Sequence, residues 1–480
     1  MTTRDAALAA LASIVGPNNV LTDAAMIAGA LVEPRGLYQG RALALVRPGS
    51  TEEVAGVASF CNKERIGIVP QGGNTGLVGG QTPDESGNQL VLSTQRLKRI
   101  REVDFHANVM ICEAGVTLAE AQAAALAADR LFPLSLAAEG TCTIGGNVST
   151  NAGGVAVLAY GNTRDLVTGV EAVLADGRVI HALSKLRKDN TGYDLRGLFV
   201  GAEGTLGIVT AASLRLFPNP RARATAFVGL ASPEAALHLL SLARERLGSG
   251  VTSFELMGRL AYEIPIAHGL ARAPLEGSHA WYVLIEVSSQ IAAGLDEAFA
   301  DMLGAALQSG VVEDAAIATS LEQRHAFWAL RETIPEAQKR EGGSIKHDIS
   351  VATGDTPCLI AKATEAVETF APGCRVVCFG HLGDGNMHFN VSQPVGADTS
   401  AYLACWDAMN EVVHGIVATL GGSFSAEHGI GRLKRGLLAR TKDPASLAAM
   451  RAIKSALDPN GVMNPGKVLT REGSPTDLVT

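Results

Sequence analysis

The sequence predicts an α+β protein with more than one domain, on three observations. Its 480 residues exceed what one hydrophobic core usually holds, so two or three domains are expected. Apolar strand-like segments alternate with helical segments, and from residue 221 onward this alternation is typical of an antiparallel sheet with helices on one face. The 53 glycines concentrate at 72–80, 140–154 and 380–431, which indicates binding loops between the elements.

Four segments are expected along the chain. They are an N-terminal helical segment at 1–36, an α+β domain at 37–217, a second domain at 218–425 and a C-terminal segment at 426–480.

Two capping boxes mark helix starts in the first domain, because a hydroxyl and a glutamate three residues later can satisfy each other's backbone N–H groups. They are Ser50 with Glu53 and Thr117 with Glu120. The predicted strands of this domain are 42–48, 66–70, 167–180 and 204–218. The second domain has predicted strands at 225–230 and 279–288 and predicted helices at 233–247 and 294–308. Within the C-terminal segment, the stretch from Asp443 onward is predicted to be a helix that Asp458-Pro459 ends.

The segment HLGDGNMHFN at 381–390 predicts a hairpin. The strand VVCFG runs into His381, and Gly383-Asp384-Gly385 is turn chemistry that folds MHFNVS back as the partner strand. Because side chains two apart on a strand point the same way, His388 and Asn390 are expected on one face.

A metal site is predicted from this hairpin together with SAEHGIG at 425–431. The two segments supply His381, His388, Glu427 and His428, and three of these are a sufficient set for zinc or a similar cation. Three protein ligands leave one coordination position open, which favours catalysis. The alternative is a set of core or surface residues whose hydrogen bonds are satisfied without a metal.

Two glycine-rich segments predict a site for a long cofactor with a central diphosphate. PQGGNTGLVGG at 70–80 and IGGNVSTNAGG at 144–154 are interpreted as loops whose backbone N–H groups form anion-binding concavities. The alternative is that both are tight turns. The first loop spaces its glycines as Gly73, Gly76 and Gly79, which is not the GxGxxG fingerprint, so a nicotinamide site is disfavoured.

A third group of residues lies in WALRETIPEAQKREGGSIKHDIS at 328–350. Arg331 can hold a carboxylate through two parallel hydrogen bonds, and Lys346 adds a point charge, so an anionic substrate is indicated. The alternative is a solvated helix face.

Charge and composition exclude several classes. The net charge of −8 has no basic block, so no nucleic-acid partner is expected. No apolar run reaches the roughly 18 residues of a spanning helix, and the N-terminus lacks an export pattern, so we expect no transmembrane segment and a cytoplasmic location. Seven scattered cysteines indicate reduced thiols and no iron–sulfur cluster, and CRVVC at 374–378 is interpreted as core.

The sequence also contains one decoy, a segment that matches a nucleotide-binding motif only in part, and it leaves two rival functions open. GVMNPGKV at 461–468 fits GxxxxGK, but Val468 stands where magnesium coordination needs Ser or Thr. The rivals are an ATP-dependent enzyme and a flavin- or metal-binding protein without turnover.

These motifs, read together, resemble a known family. PQGGNTGLVGG, GGNVSTNAGG, LRKDNTGYDL, GAEGTLGIVT, GHLGDGNMHFNV, SAEHGIGRLK and DPNGVMNPGK are similar to the FAD-linked D-2-hydroxyacid dehydrogenases of the vanillyl-alcohol-oxidase flavoprotein superfamily. The resemblance covers the chain from about residue 33. It implies a two-part FAD-binding domain, a cap domain built on an antiparallel sheet, and a C-terminal helical segment that returns to the flavin.

The resemblance also implies roles for single residues. His381, His388 and Glu427 would bind a divalent metal, zinc with manganese or cobalt as alternatives, and His428 would be the catalytic base. Arg331, Lys346 and Asn390 would contact the substrate. The FAD-binding set would be Pro70, Gly72, Gly73, Asn74, Thr75, Gly76, Gly140, Thr143, Gly145, Gly146, Asn147, Thr150, Asn151, Gly153, Gly154, Ile208 and Asn464. Because the first loop has Asn74 and no histidine, bound FAD is expected to be non-covalent.

The expected reaction is oxidation of a small anionic D-2-hydroxy acid to the 2-oxo acid by hydride transfer to flavin N5. Electrons would leave to an external acceptor such as an electron-transfer flavoprotein or a quinone, and a homodimer is considered for the assembly. Because a monocarboxylate would leave Arg331 or Lys346 without an anion, D-2-hydroxyglutarate is the expected substrate, then D-malate. Pro335 departs from the RxxxT pattern of the hydroxyglutarate enzymes, so a D-lactate dehydrogenase or a glycolate oxidase flavin subunit is the alternative.

Overall fold

The computed structural model describes residues 3–470. Its helices are α1 Arg4–Val15, α2 Ala24–Ile27, α3 Thr51–Glu64, α4 Leu118–Ala127, α5 Ile144–Thr150, α6 Val157–Tyr160, α7 Thr163–Leu166, α8 Arg196–Phe199, α9 Pro233–Leu247, α10 Arg259–Ala267, α11 Leu295–Gln308, α12 Leu321–Lys339, α13 Thr356–Phe370, α14 Thr399–Leu403, α15 Trp406–Thr419, α16 Arg435–Thr441 and α17 Pro444–Leu457. Its strands are β1 Val20–Leu21, β2 Leu45–Val46, β3 Gly67–Gln71, β4 Gln89–Ser93, β5 Ile100–Asp104, β6 Val109–Glu113, β7 Arg130–Leu131, β8 Val167–Val173, β9 Val179–Ala182, β10 Ile208–Arg215, β11 Phe217–Pro218, β12 Ala222–Leu230, β13 Val251–Gly258, β14 Trp281–Ser289, β15 Asp314–Ile317, β16 Ser344–Ser350, β17 Arg375–His381 and β18 Asn386–Ser392.

The described chain divides into two compact units. Unit 1 comprises 3–154, 161–219 and 427–470, and unit 2 comprises 155–160 and 220–426. Unit 1 therefore gathers most of three predicted segments, while the short helix α6 belongs with unit 2. No helix among residues 3–470 is both long enough and apolar enough to cross a bilayer.

Unit 1 is built on two main sheets, and one hydrophobic cluster joins them. A four-stranded sheet has the order β1-β2-β4-β3, and an antiparallel five-stranded sheet has the order β5-β6-β10-β8-β9. Residues from α1, α3 and both sheets share the core with Val462 and Met463, and Met463 forms a bridge beside Ile68 of β3. The stretch that follows α17 is therefore part of this unit rather than a tail.

A buried carboxylate joins elements of unit 1. Glu171 on β8 accepts hydrogen bonds from Thr51 Oγ1 at 2.7 Å and Thr210 Oγ1 at 2.9 Å, and Arg101 donates to both of its oxygens. Burial alone would raise the pKa of Glu171, but these donors outweigh it and lower the pKa to about 2.

Unit 2 is built on a seven-stranded antiparallel sheet with the order β15-β12-β14-β13-β17-β18-β16. Helices α9, α11, α13 and α15 pack on one face with Phe254 and Phe389. Helices α10 and α12 pack on the other face with Tyr282 and Phe379. The expectation of helices on one face only was wrong, because successive residues of the interior strand β14 are buried, so both faces of the sheet need cover.

Helix α12 is attached to the sheet by polar side chains at seven-residue intervals. Arg324 pairs with Glu286 at 2.9 Å, Arg331 pairs with Glu255 at 2.9 Å, and Gln338 donates to two serine hydroxyls of β16 and β18. Seven residues are close to two helical turns, so the three side chains lie on one stripe that faces the strands.

Several local predictions can be compared with the structure. The Thr117 and Glu120 capping box is complete, and the predicted helices 233–247 and 294–308 correspond to α9 and α11. The strand expected at 42–48 is only the two-residue β2. IGGNVST was interpreted as a loop, but it forms α5, because Thr143 caps the N–H of Gly146 and starts a helix despite the paired glycines.

Replacing Glu171 by Gln should lower the free energy of unfolding by about 3 kcal/mol at pH 7, because Arg101 loses a buried anionic partner. The pKa of Glu171 is lowered in the folded state, so its contribution is complete above the unfolded value near about 4.3 and is lost as pH falls towards about 2. Urea unfolding at several pH values should therefore show the two proteins converging in acid. A constant difference down to the lowest pH would contradict this role.

Candidate functional site

The hairpin of β17 and β18 brings two predicted metal ligands together in unit 2. The turn between the strands is stabilised by Asp384, whose carboxylate accepts the N–H of Asn386 at 3.0 Å. The rings of His381 and His388 are 5.7 Å apart between centroids and nearly perpendicular, at 78°. The hairpin prediction is confirmed, and both imidazoles lie on the sheet face that α12 covers.

A carboxylate lies beside the Nδ1 atom of each histidine. Glu255 Oε1 is 2.7 Å from His381 Nδ1, and Asp348 Oδ1 is 3.9 Å from His388 Nδ1. Glu255 stands opposite His381 in the ladder, and Asp348 stands opposite His388. The hydrogen bond between Glu255 and His381 is the usual environment of a metal-bound histidine, whereas the distance from Asp348 to His388 is too long for a hydrogen bond.

Arg331 is a buried, paired cation rather than a solvated one. It is 6% exposed, its Nε and Nη2 atoms both lie 2.9 Å from Glu255 Oε2, and its guanidinium stacks on the ring of Phe379. The alternative of a solvated helix face was wrong for this residue. The premise that Arg331 needs a substrate anion for charge balance was also wrong, because Glu255 already supplies a negative charge.

The carboxyl group of Glu255 is the residue of this face that the sequence interpretation missed. Burial alone would raise its pKa, but its contacts with His381 and with the Arg331 guanidinium outweigh burial and lower the pKa to about 2. A glutamate in the otherwise apolar strand SFELM was the available signal, since a lone charge in a buried strand needs a specific partner.

Asn390 and Lys346 face each other across β18 and β16. The Nδ2 atom of Asn390 donates to Gln338 Oε1 at 2.9 Å, and Gln338 is itself fully buried. The amide of Asn390 is therefore held in one orientation by α12. Its predicted contact with substrate stays a prediction.

Pro335 lies inside α12 and is exposed, whereas Arg331 and Gln338 on the same helix are buried. Thr333 was considered as a substitute hydroxyl donor. Its Oγ1 atom instead donates to Ala329 O at 2.7 Å within the helix. The hydroxyl of Thr333 is therefore engaged by its own backbone.

In unit 1 the two glycine segments pack directly on each other. A Cβ on Gly72 would lie 2.2 Å from Thr143 Oγ1, and a Cβ on Gly73 would lie 1.8 Å from Thr141 O. Asn74 takes the left-handed conformation at φ +54°, and its Nδ2 atom donates to Gly29 O and Val32 O. These glycines therefore permit close contact between the two segments.

Gly146 differs from these glycines because it faces open space. A Cβ there would meet only its own cap, Thr143 Oγ1, at 3.4 Å. Such a surface beside the tightly packed Gly72 and Gly73 is a cradle that a side chain would fill, as expected where a ligand approaches the backbone.

Two other predicted FAD-binding residues of unit 1, Asn464 and Ile208, are buried. Asn464 donates to Gly80 O at 2.9 Å and to Glu203 O at 2.7 Å, while its buried Oδ1 atom has no hydrogen-bond partner within residues 3–470. Ile208 is buried in the unit 1 core. An oriented buried acceptor without a protein donor fits a bound cofactor that supplies one.

Glu427 and His428 also lie in unit 1, and both are half-buried. Glu427 Oε1 accepts the backbone N–H of Gly154 at 2.9 Å, so this ligand candidate is held by the end of the second glycine segment.

Two charged residues of unit 1 were not predicted. Glu203, in GAEGTLG, accepts the N–H groups of Ile430 at 2.7 Å and Gly431 at 2.8 Å, and burial raises its pKa. Lys467, in the decoy GVMNPGKV, is 5% exposed, and burial, together with nearby Arg432, lowers its pKa to about 8. The decoy follows the end of α17, not a strand, so it lacks the P-loop arrangement.

The chain is similar to known FAD-linked proteins over almost its whole length. Residues 42–183 match the model of the FAD binding domain, and residues 219–468, more than half of the chain, match that of the FAD linked oxidases, C-terminal domain. D-2-hydroxyglutarate dehydrogenase, mitochondrial, of Rattus norvegicus is 37% identical over 469 residues, covering 96% of this chain and 84% of the relative. D-2-hydroxyglutarate dehydrogenase of Xanthomonas citri pv. viticola is 37% identical over 441 residues, covering 91% of each chain.

Among solved structures, p-cresol methylhydroxylase with substrate bound superposes with a TM-score of 0.76 at 18% identity, covering 97% of this chain and 96% of that one. This similarity shows the fold alone, and it confirms the predicted α+β fold of the vanillyl-alcohol-oxidase type. With both domain models matched and relatives aligned over nearly the whole length, the chain belongs to the FAD-linked oxidase family and, within it, to the FAD-dependent D-2-hydroxyacid dehydrogenases.

Proposed function

We propose that this dehydrogenase oxidises D-2-hydroxyglutarate to the 2-oxo acid, with D-malate as the next best substrate, and that it needs a divalent metal. The observation that carries the proposal is the polar face of the unit 2 sheet. There, two imidazoles with carboxylates beside their Nδ1 atoms lie next to a buried arginine.

The donor set fits a divalent cation. His381 and His388 offer neutral imidazole nitrogens, and the resemblance to the family adds Glu427 as the third ligand. When bound, the cation would supply a Lewis acid that lowers the pKa of the substrate hydroxyl. Zinc is the proposed ion, with manganese or cobalt as alternatives.

FAD fits unit 1, because Gly146 offers open backbone and Asn464 offers an unpartnered buried acceptor. When bound, FAD would supply the hydride acceptor, and the electrons would then pass to an external carrier such as an electron-transfer flavoprotein or a quinone. His428 is proposed to accept the hydroxyl proton, which is the role that the family resemblance assigns to it.

The side chains of unit 2 would bind and orient the substrate. Arg331 uses Nε and Nη2 on Glu255, and its terminal nitrogens have further N–H donors for a carboxylate. Asn390, held by Gln338, would add an amide contact, and Lys346 a positive charge. The relatives named D-2-hydroxyglutarate dehydrogenase support a dicarboxylate.

D-Lactate is the second candidate substrate, as for a D-lactate dehydrogenase or a glycolate oxidase flavin subunit. Arg331 and Glu255 already form a neutral pair, so charge balance does not require a second carboxylate on the substrate. Pro335 also lacks the hydroxyl of the hydroxyglutarate pattern, and the hydroxyl of Thr333 donates within its own helix.

FAD should be released intact by acid or heat, because Asn74 offers no attachment point.

Replacing Gly146 by Ala should lower FAD occupancy several-fold while raising thermal stability of the apoprotein slightly, since alanine favours a helix and has space there. Gly304 in α11 is the control, because it is also a helical glycine and a Cβ there meets nothing within 4 Å. Equal flavin absorbance per protein in all three proteins would contradict the assignment of Gly146.

Chelation should abolish turnover of D-2-hydroxyglutarate while the flavin stays bound. The reason is that the proposed metal ligands, His381, His388 and Glu427, are not among the residues that are proposed to hold FAD. Adding zinc, manganese or cobalt should restore the rate, measured with a dye as electron acceptor. Full activity in protein shown by elemental analysis to be metal-free would exclude the metal requirement.

Replacing Arg331 by Met should reduce kcat/KM for D-2-hydroxyglutarate. The reduction should correspond to a loss of about 2 to 4 kcal/mol of transition-state stabilisation, the usual loss for a charge-assisted contact. The substitution also removes the partner of Glu255, but that effect is the same for every substrate. The difference between the reductions in kcat/KM for D-2-hydroxyglutarate and for D-lactate therefore measures the contact of Arg331 with the distal carboxylate. We expect a smaller loss on D-lactate. Equal losses would place Arg331 on the shared carboxylate, and a wild-type preference for D-lactate would favour the second candidate.

A further inference from the structure

We infer that Glu255 is a positioning residue, whose single carboxylate fixes both the tautomer of His381 and the placement of Arg331. The inference rests on the proposed function, because it gives Glu255 its importance through a metal that His381 binds. It adds a residue that neither the sequence motifs nor the family resemblance assigns.

The geometry divides the carboxylate between its two neighbours. Glu255 is fully buried on β13. Its Oε1 atom lies 2.7 Å from His381 Nδ1, and its Oε2 atom lies 2.9 Å from Arg331 Nε and Nη2. Each oxygen therefore serves one partner, and the two partners lie on different elements, β17 and α12.

The contact with His381 decides which ring nitrogen carries the proton. A carboxylate only accepts hydrogen bonds, so Nδ1 of His381 must be the N–H donor at 2.7 Å. In the neutral ring the lone pair is then on Nε2, which is the atom that would bind a metal. The carboxylate also fixes the plane of the ring.

The contact with Arg331 decides the orientation of an amide side chain placed at position 255. A guanidinium only donates hydrogen bonds, and Arg331 is held in place by the ring of Phe379 as well, at 4.7 Å. In Glu255→Gln the amide oxygen must therefore face Arg331. Its NH₂ group then faces His381, which has to accept at Nδ1 and carry its proton on Nε2, the wrong nitrogen for a metal.

The same helix provides a matched control. Glu286 on β14 pairs with Arg324 at 2.9 Å and accepts Trp328 Nε1 at 3.0 Å, so it fastens α12 to the sheet as Glu255 does. Within residues 3–470, the carboxylate of Glu286 accepts hydrogen bonds from Thr225, Arg324 and Trp328 and from no histidine. Glu286→Gln therefore weakens a buried strand-to-helix ion pair without affecting a tautomer.

The test measures zinc affinity of the FAD-loaded protein by competition with a chelator of known affinity. Glu255→Gln should bind zinc about 10- to 100-fold more weakly than wild type, the usual loss when the residue behind a histidine ligand is changed. Glu286→Gln should bind zinc as wild type does. Melting temperature and flavin content of both variants are measured alongside.

A second substitution separates tautomer control from a general structural effect. In Glu255→Gln with Arg331→Met no donor dictates how the amide turns, so its oxygen can face His381 and restore the N–H on Nδ1. The double variant should therefore recover most of the zinc affinity that Glu255→Gln loses, although it lacks one more native contact. A purely structural role predicts a further loss instead.

The outcomes distinguish this inference from the proposed function. Wild-type protein that binds no zinc, or that turns over without metal, would exclude the metal in the proposed function. Zinc binding by wild type with unchanged affinity in Glu255→Gln would overturn the role of Glu255 alone. Weak binding in both Glu255→Gln and the double variant, or an equal loss in Glu286→Gln, would also overturn it.

Discussion

The unit 2 site depends on one buried anion, the carboxylate of Glu255 between His381 and Arg331. A charge without solvent access is costly unless both of its oxygens are occupied, so this glutamate constrains the groups around it. It requires a donor on β17 and a cation on α12, and the chain provides both. The same contacts that offset its burial therefore also orient a ligand candidate and a substrate-binding candidate.

Helix α12 is held on the sheet by the Glu255 contact and by two further contacts along its length. Arg324, Arg331 and Gln338 contact strand residues at successive seven-residue steps, so the helix cannot slide or rotate without breaking all three contacts. Asn390 and Arg331 are thereby placed by one rigid element. Unit 1 uses buried carboxylates in the same way, since Glu171 joins α3 to the five-stranded sheet and Glu203 holds the backbone at Ile430 and Gly431.

The sequence predicted those features that depend on residues close together in the chain. Capping at Thr117, the turn at Gly383-Asp384-Gly385 and the shared strand face of His388 and Asn390 follow from residue type and period alone, and the structure contains all three. It predicted α5 as a loop, because the paired glycines were interpreted as loop residues and the cap at Thr143 was missed.

What the sequence could not supply were contacts between distant segments. Glu255 and Arg331 are separated by 76 positions, and Glu255 and His381 by 126. Nothing in residue type or period pairs them, so Arg331 was interpreted as a cation that needed a substrate anion. The pairing with His381 follows from the strand register, because β13 and β17 are neighbours in the sheet although three strands, β14, β15 and β16, lie between them in the chain.

The most direct test of the account is the flavin spectrum of the purified protein under anaerobic conditions. Mixing with D-2-hydroxyglutarate should bleach the flavin bands within one turnover in metal-loaded protein, while the L enantiomer should leave them unchanged. Bleaching should be slower with D-malate and slower again with D-lactate and glycolate. A flavin that none of these D-2-hydroxy acids reduces in metal-loaded protein would contradict the account.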